Sequence, residues 1–427
     1  MIKCKLGELL DVRRGASLSG KYYATEGKLV RLTLGNFNYP NGGFKENTTK
    51  EDIFFIGNVR PEFILKEGDI ITPLTEQVAG LLGETARIPE SNKYIQSGDI
   101  GLIIPDETKL NKLFAYFLVS SPIVKKQLGA AAQQTKIRHT SPDKIKDCEV
   151  WIPDLKYQEE AGRILDNINN KIFNNSKIIL ELEAMSKTIY DYWFLQYEFP
   201  NEEGKPYKSS GGKMVYNEKL KREIPEGWDV KSIKECIEHI NTGLNPRDNF
   251  VLGNGNIKYI TVKNLTKEGI FNYDGCDVID EKAKEIVHNR SDVNVGDILF
   301  ASIAPLGRCF MVQEYPKEWD INESVFCIRP NQQIISTDYL YLYLTSDMFV
   351  KQAENSSTGS IFSGIRINTL ESMNLLVPNE KIKEKFTHNI EKIFLKKYKI
   401  AKENEELTKL RDELLPLLMN GQVSFKN

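Results

Sequence analysis

The sequence predicts an α+β chain of 427 residues: two repeated mixed α/β domains separated by two long helices that form an antiparallel coiled coil. Three observations carry this expectation. One ordered series of strand and helix phrases occurs twice, two long segments hold an unbroken heptad register, and the charges of those segments run in opposite senses.

The first domain is expected over 1–155 and the second over 225–379. KLGELLDVRRG closes on Gly15 and SIKECIEHINTG on Gly243, each reading as an amphipathic helical turn with a glycine suited to a C-cap. LVRLTLGNF then aligns with IKYITVKNL, which sets Asn36 on Asn264. EGDIITPLT and VGDILFASI follow at an offset of 228, from Gly68 to Gly296, as a Gly-Asp turn entering a buried strand. The frame is shared but the tips differ, TPLTEQ (Thr72 to Gln77) against ASIAPLG (Ala301 to Gly307). Further on, SGDIGLIIP matches NESVFCIRP, LFAYFLVSS matches YLYLYLTSD, and CEVWIP ending at Pro153 matches MNLLVP ending at Pro378. Six matched elements in one order make coincidence a poor account, and each copy has an ordinary domain length of about 150 residues.

The central helix is expected over 156–197. From Tyr157 to Phe194 the register runs through Leu165, Ile168, Ile172, Asn175, Ile179, Leu182, Ser186, Ile189 and Trp193 at alternating spacings of four and three. Such a helix would be roughly 55 Å long at ~1.5 Å per residue. The second helix, 380–427, repeats the pattern with Ile390, Ile393, Lys397, Ile400, Asn404, Leu407, Arg411, Leu414 and Leu418. Its first half is lysine-rich and its second half acidic, whereas the first helix carries Glu181, Glu183 and Asp191 late and Arg163, Lys171 and Lys177 earlier. Antiparallel pairing sets opposite charges together, although Glu159 and Glu160 spoil the match. Asn175 and Asn404 on the seam either fix register or sit as solvated defects. Between the first helix and the second copy, 198–224 is rich in Gly, Ser, Pro and Lys and reads as a linker.

Several function classes find no support. Apolar residues make up 41% and charged residues 27%, no run of eighteen apolar residues occurs, and the start lacks the apolar core of a signal peptide, so a cytoplasmic chain without a membrane partner is expected. The six cysteines and four histidines are scattered without metal-ligand spacing, so no metal is expected and the thiols read as reduced. SSGGKM fails the phosphate-loop pattern, since Tyr207 stands five before Gly212 and Met214 follows Lys213. Asp99, Glu107 and Lys109 imitate a nuclease order, but the second copy has no counterpart. No catalytic residue is expected.

Two diverged domains on a rigid spacer suit reading two different things a fixed distance apart, for which double-stranded DNA is the obvious partner. The net charge of -2 gives no hint of this, yet Ile123 to Asp147 carries six Lys or Arg against two Asp. Gln133, Gln134, Lys136 and Arg138 in that segment offer base-edge and phosphate contacts. The matching glycine- and hydroxyl-rich loop holds Ser360 and Arg366. After the glycines come Ser17, Lys21 and Tyr22 in one copy and Asn245, Arg247 and Asn249 in the other. Asn36 and Asn264 at strand ends, with Thr75, Gln77, Ser302 and Arg308 on the tips, complete the candidate DNA contacts. Solvated loops remain the plain alternative, and a two-lobed coiled-coil scaffold that never touches DNA is the rival function.

The order of domain, long helix, domain, long helix resembles the specificity subunits of type I restriction-modification systems. GKPYKSSGGKMV followed by IPEGW, and LTKLRDELLPLLMNGQV near the end, look especially like that family. The resemblance spans essentially the whole chain. It implies two target-recognition domains, each reading half of a split DNA target, and helices that act as ruler and as docking surface for two modification (methyltransferase) subunits. It implies no cofactor in this chain. S-adenosylmethionine would belong to the modification subunits, which methylate adenine, and ATP and Mg to a restriction subunit that translocates and cuts.

Overall fold

The structure is a computed structural model that describes residues 1–39, 42–47, 51, 53–76, 80–131, 138–273, 275–356 and 364–425. Two compact units divide the chain, Met1–Phe173 with Glu405–Asn427, and Asn174–Asn404.

In the first unit, β1 (Ile2–Lys5) leads through a 3-10 turn (Leu6–Glu8) into β2 (Leu10–Arg14). The helical turn expected to end at Gly15 therefore stops at Glu8. Leu10 and Val12 are buried and Asp11 exposed, a period of two that makes the rest a strand. Gly15 is no C-cap: it follows the strand, where a Cβ would stand 2.2 Å from the Ser97 carbonyl oxygen. β3 (Ile70–Pro73), β4 (Thr75–Glu76), β5 (Ala86–Arg87), β6 (Ile100–Pro105), β7 (Arg138–His139) and β8 (Glu149–Ile152) follow. The main sheet has the order β2-β6-β3-β5, all antiparallel, while β4 pairs with β7 and β1 with β8. Helices α1 (Lys112–Val119) and α2 (Pro122–Ala131) pack Phe114, Phe117 and Leu128 onto Ile70 and Ile103 of the sheet. Burying each such side chain contributes about 1.5–3 kcal/mol.

Next comes α3 (Leu155–Tyr190), which ends in a π-helical turn, Asp191–Leu195. The second unit then builds a hairpin where a linker was expected. β9 (Met214–Asn217) and β10 (Arg222–Pro225) pair antiparallel, and Phe199 stacks on both Tyr207 and Trp228. Low average hydropathy hid three aromatic rings that are enough to anchor the segment. β11 (Asp229–Ser232), a helical turn (Ile233–Cys236) and β12 (Ile237–Thr242) repeat the opening of the first unit, and again the turn stops short of Gly243. There a Cβ would lie 1.8 Å from the Ile321 carbonyl oxygen. The sheet β12-β15-β13-β14 uses β13 (Ile298–Ala301), β14 (Cys309–Met311) and β15 (Val325–Pro330), with α5 (Thr337–Thr345) and α6 (Asp347–Ser356) against it. α4 (Glu281–Ser291) has no α-helical counterpart among the described residues of the first copy, and β16 (Asn374–Val377) pairs with β11.

The GDI strands are scaffold in both copies. Ile70, Ile71, Ile298 and Leu299 are buried, and Gly68 and Gly296 take φ of +77° and +91° at the turns that feed them, a region open to glycine. One face differs between the copies. Lys3 lies opposite Trp151 on β1 and β8, where the indole is 50% exposed; Val230 lies opposite Leu376 on β11 and β16, and Leu376 is 4% exposed. Val230, Leu376, Phe199, Ile224 and Trp228 share one core, so the hairpin segment closes this face in the second unit.

The last helix, α7 (Glu380–Met419), runs antiparallel to α3 within one chain. In the first unit Arg411 Nη1 donates to Asn169 Oδ1 at 3.4 Å, and Leu165 and Leu418 share a core. In the second, Asn175 Nδ2 donates to Glu403 Oε2 at 2.7 Å and Asn404 Nδ2 to Ser176 Oγ at 3.2 Å, so both seam asparagines bond across the helix pair. The seam residues Leu165, Ile168, Asn175, Ile179 and Ile390 are buried, and Ile172, Leu182, Ile189, Ile393, Ile400, Asn404, Leu407 and Leu414 half-buried, as a heptad seam requires. Lys397 occupies a seam position by donating to Glu183 Oε2 at 2.7 Å and to the Glu268 carbonyl at 3.0 Å. Tyr341 Oη donates to the other Glu183 oxygen at 3.3 Å. Burial pulls the Lys397 ammonium below its ordinary pKa, against the pull of Glu183.

Candidate nucleic-acid interface

Strand register brings the candidate segments together. In the first unit Arg14 lies opposite Gly101, and Gly101 opposite Thr72, so the loop after Gly15 and the tip beyond β3 leave the sheet at one end. In the second unit Thr242 lies opposite Phe326, and Phe326 opposite Phe300, which sets the loop after Gly243 beside the tip beyond β13.

Backbone hydrogen bonds build the same junction twice. Leu74 N–H donates to the Asp99 carbonyl at 2.8 Å and Thr140 N–H to the Leu74 carbonyl at 2.9 Å. The second copy answers with Ser302 N–H to the Ser324 carbonyl at 3.0 Å and Ile365 N–H to the Ser302 carbonyl at 2.8 Å. One residue further, Thr75 faces His139 in a strand pair and Ile303 faces Gly364 in a bridge. Each tip is thus clamped between the turn before the central strand and the segment that follows α2 or α6.

Tyrosines fix the remaining loops. Tyr23 Oη donates to the Leu18 carbonyl at 3.2 Å, and Tyr259 Oη donates to the Leu244 carbonyl. Burial raises the Tyr259 phenol above its ordinary pKa, which keeps it a donor. In the first copy Gln96 Nε2 holds the carbonyls of Arg13 at 2.6 Å and Ile100 at 2.9 Å. None of these tethers had a legible signal, because each donor reaches a carbonyl far off in the sequence or around a loop of unknown path.

The candidate contacts divide sharply. Ser17, Lys21, Tyr22, Arg247, Asn249 and Arg366 are exposed and Asn245 half-buried, all on the loops at these sheet ends. Asn36 and Asn264 are corrections: both are buried, accept from the Thr33 and Thr261 N–H groups at 2.8 and 2.9 Å, and donate to the Lys45 and Asn272 carbonyls at 3.2 and 2.9 Å. Both side chains are buried in the turns that they close. Thr75 and Ser302 are also buried, Ser302 Oγ donating to the Ser324 carbonyl at 2.8 Å, and Arg308 is turned to the Leu265 carbonyl at 3.3 Å. Arg138 stays half-exposed beside the buried Glu76, which the sequence did not single out. Gln77, Gln133, Gln134, Lys136 and Ser360 lie outside the described residues.

The catalytic decoy comes apart. Asp99 precedes β6 whereas Glu107 and Lys109 follow it, and six strand residues span about 20 Å. Lys109 pairs instead with Asp106 at 3.0 Å, and hydrogen bonds from Thr108 and Lys109 hold that carboxyl down at about 2. The cysteines are free thiols, and no helix among the described residues is long and apolar enough to cross a membrane.

Two copies of one α/β frame, each presenting clamped loops at one sheet end, define a chain with two recognition-type domains. The model of the type I restriction modification DNA specificity domain matches residues 2–184 and again 225–409, and the chain belongs to that family. It is 24% identical over 323 residues to the type I restriction enzyme MjaIX specificity subunit of Methanocaldococcus jannaschii, covering 75% of this chain and 71% of that one. Identity to the HindI specificity subunit of Haemophilus influenzae is 21% over 334 residues, covering 66% and 70%. The fold matches the crystal structure of the S subunit of a type I restriction-modification system from M. genitalium with a TM-score of 0.56 at 16% identity, covering 98% and 95% of the two chains. Recognition of DNA sequence is therefore the function, and the scaffold alternative is not favoured.

Proposed function

We propose that this cytoplasmic chain reads a split double-stranded DNA target, with 1–155 reading one half and 225–379 the other. The helices of 156–197 and 380–427 hold the two readings at a set spacing and dock two modification subunits, which supply S-adenosylmethionine and methylate adenine. A restriction subunit brings ATP, Mg and the cutting activity, so the chain performs no bond chemistry itself. The observation that carries this reading is the junction built twice from the same backbone bonds but dressed with unlike side chains: Thr75, Glu76 and Arg138 in one copy, Ile303, Arg308 and Arg366 in the other. Arg247, Asn249, Ser17, Lys21 and Tyr22 flank these junctions and serve phosphates or base edges.

The test is methylation mapping in cells that hold this chain and its modification partner, before and after exchange of residues 1–153 for those of another family member. One half of the motif should change and the other stay. A change in both halves, or a motif with no gap, defeats the two-reader proposal.

A further inference from the structure

On the reading just proposed, we infer that Arg138 reads a guanine in the half-site of the first copy and that the buried Glu76 holds it in the reading posture. Glu76 and Arg138 face one another across the β4-β7 pair. The Glu76 side chain is only 3% exposed, so its charge needs partners. Oε2 accepts the backbone N–H groups of Gly80 at 3.0 Å and Leu82 at 3.1 Å, which ties down the far side of the tip. Oε1 lies 3.4 Å from Arg138 Nη1. That arrangement engages one nitrogen of the guanidinium and leaves the arginine side chain 39% exposed at the sheet end.

A planar fork held from behind by a carboxylate suits the paired acceptors O6 and N7 of guanine, which ask for two parallel donors at a fixed spacing. A free surface arginine would lose more side-chain freedom on binding than one already held. A phosphate contact would need no such support. In the second copy Ile303 and Gly364 stand where Thr75 and His139 do, and Ala304 follows Ile303 where Glu76 follows Thr75, so the buried carboxylate belongs to the first copy.

Methylation mapping with the modification partner, on the wild type and on Arg138→Ala, Arg138→Lys and Glu76→Gln, tests this. Arg138→Ala and Arg138→Lys should each lower the preference for one G·C pair in one half of the motif by roughly ten- to a hundredfold, with the other half and the gap unchanged. Lysine keeps the charge and the strand pair, so its failure to rescue separates guanine reading from phosphate contact or folding. Glu76→Gln should weaken the same position and no other, since a merely structural role would lower methylation at every target alike. An unchanged motif in Arg138→Ala, a loss at an A·T pair, or full rescue by lysine overturns the inference. A wild type with no split motif would instead fault the two-reader proposal beneath it.

Discussion

Asn36 and Asn264 sit at matching places in the two copies and do the same work: each side chain closes a turn by accepting from one backbone N–H and donating to one carbonyl. Asn36→Ala and Asn264→Ala should each destabilise their own unit by about 1–3 kcal/mol in urea denaturation, because a buried N–H and carbonyl lose their partners, and leave the methylated motif intact. These asparagines read as base contacts in the sequence because a polar side chain after a strand carries no sign of its direction. His288 gives a second residue-scale expectation. Its Nδ1 lies 2.9 Å from Asp320 Oδ2, and the Asp320 hydrogen bond raises its pKa above 6.5, partly opposed by burial and by Lys284 and helped by Asp292. A histidine whose pKa is raised on folding lends stability that is fully present below the unfolded value and is lost as pH rises through the folded one. The melting temperature of the second unit should therefore fall as pH rises above the ordinary histidine value of 6.5, and His288→Gln should flatten that fall.

At the scale of elements, the heptads were legible because apolar residues recur at 3.5-residue spacing, and the antiparallel sense followed from charge. What Lys397 does on the seam was not legible, since Glu268 and Tyr341 reach it from distant stretches of the second copy. The Glu183–Lys397 pair joins both helices to that copy's own fold. Lys397→Met should cost up to about 3–5 kcal/mol by leaving the buried Glu183 to the more exposed Lys187, 3.5 Å away, whereas Glu183→Gln combined with Lys397→Met should recover much of the loss. A double-mutant cycle in denaturant measures this coupling directly. The hairpin of β9 and β10 escaped the sequence for a different reason. Phe199, Tyr207 and Trp228 are too widely spaced to form a period, and only folding brings the rings into one stack.

For the whole molecule, the repeat was the most legible feature, since it rests on order and offset rather than on any one contact. The division of the helices was less so. Composition changes near residues 155 and 379, but packing gives each compact unit a part of both α3 and α7, changing over at Phe173 and Asn404. Leu165 belongs to the core of the first unit and Phe386 to that of the second. Truncating either to alanine should cost about 2–5 kcal/mol. Hydrogen exchange should find the loss concentrated in the unit that bears the substitution, and equal loosening of both would show that the chain unfolds as a single cooperative block.

The uncovered Lys3–Trp151 pair also has an optical consequence. Of the four tryptophans, Trp193, Trp228 and Trp319 belong to the second unit, two of them buried, so Trp151 is the first unit's sole indole. Its fluorescence should be red-shifted and open to quenching by iodide, while the others emit from apolar surroundings. Subtracting the spectrum of a Trp151→Phe chain would isolate an intrinsic reporter of the first recognition domain, reading its encounter with DNA without any attached dye.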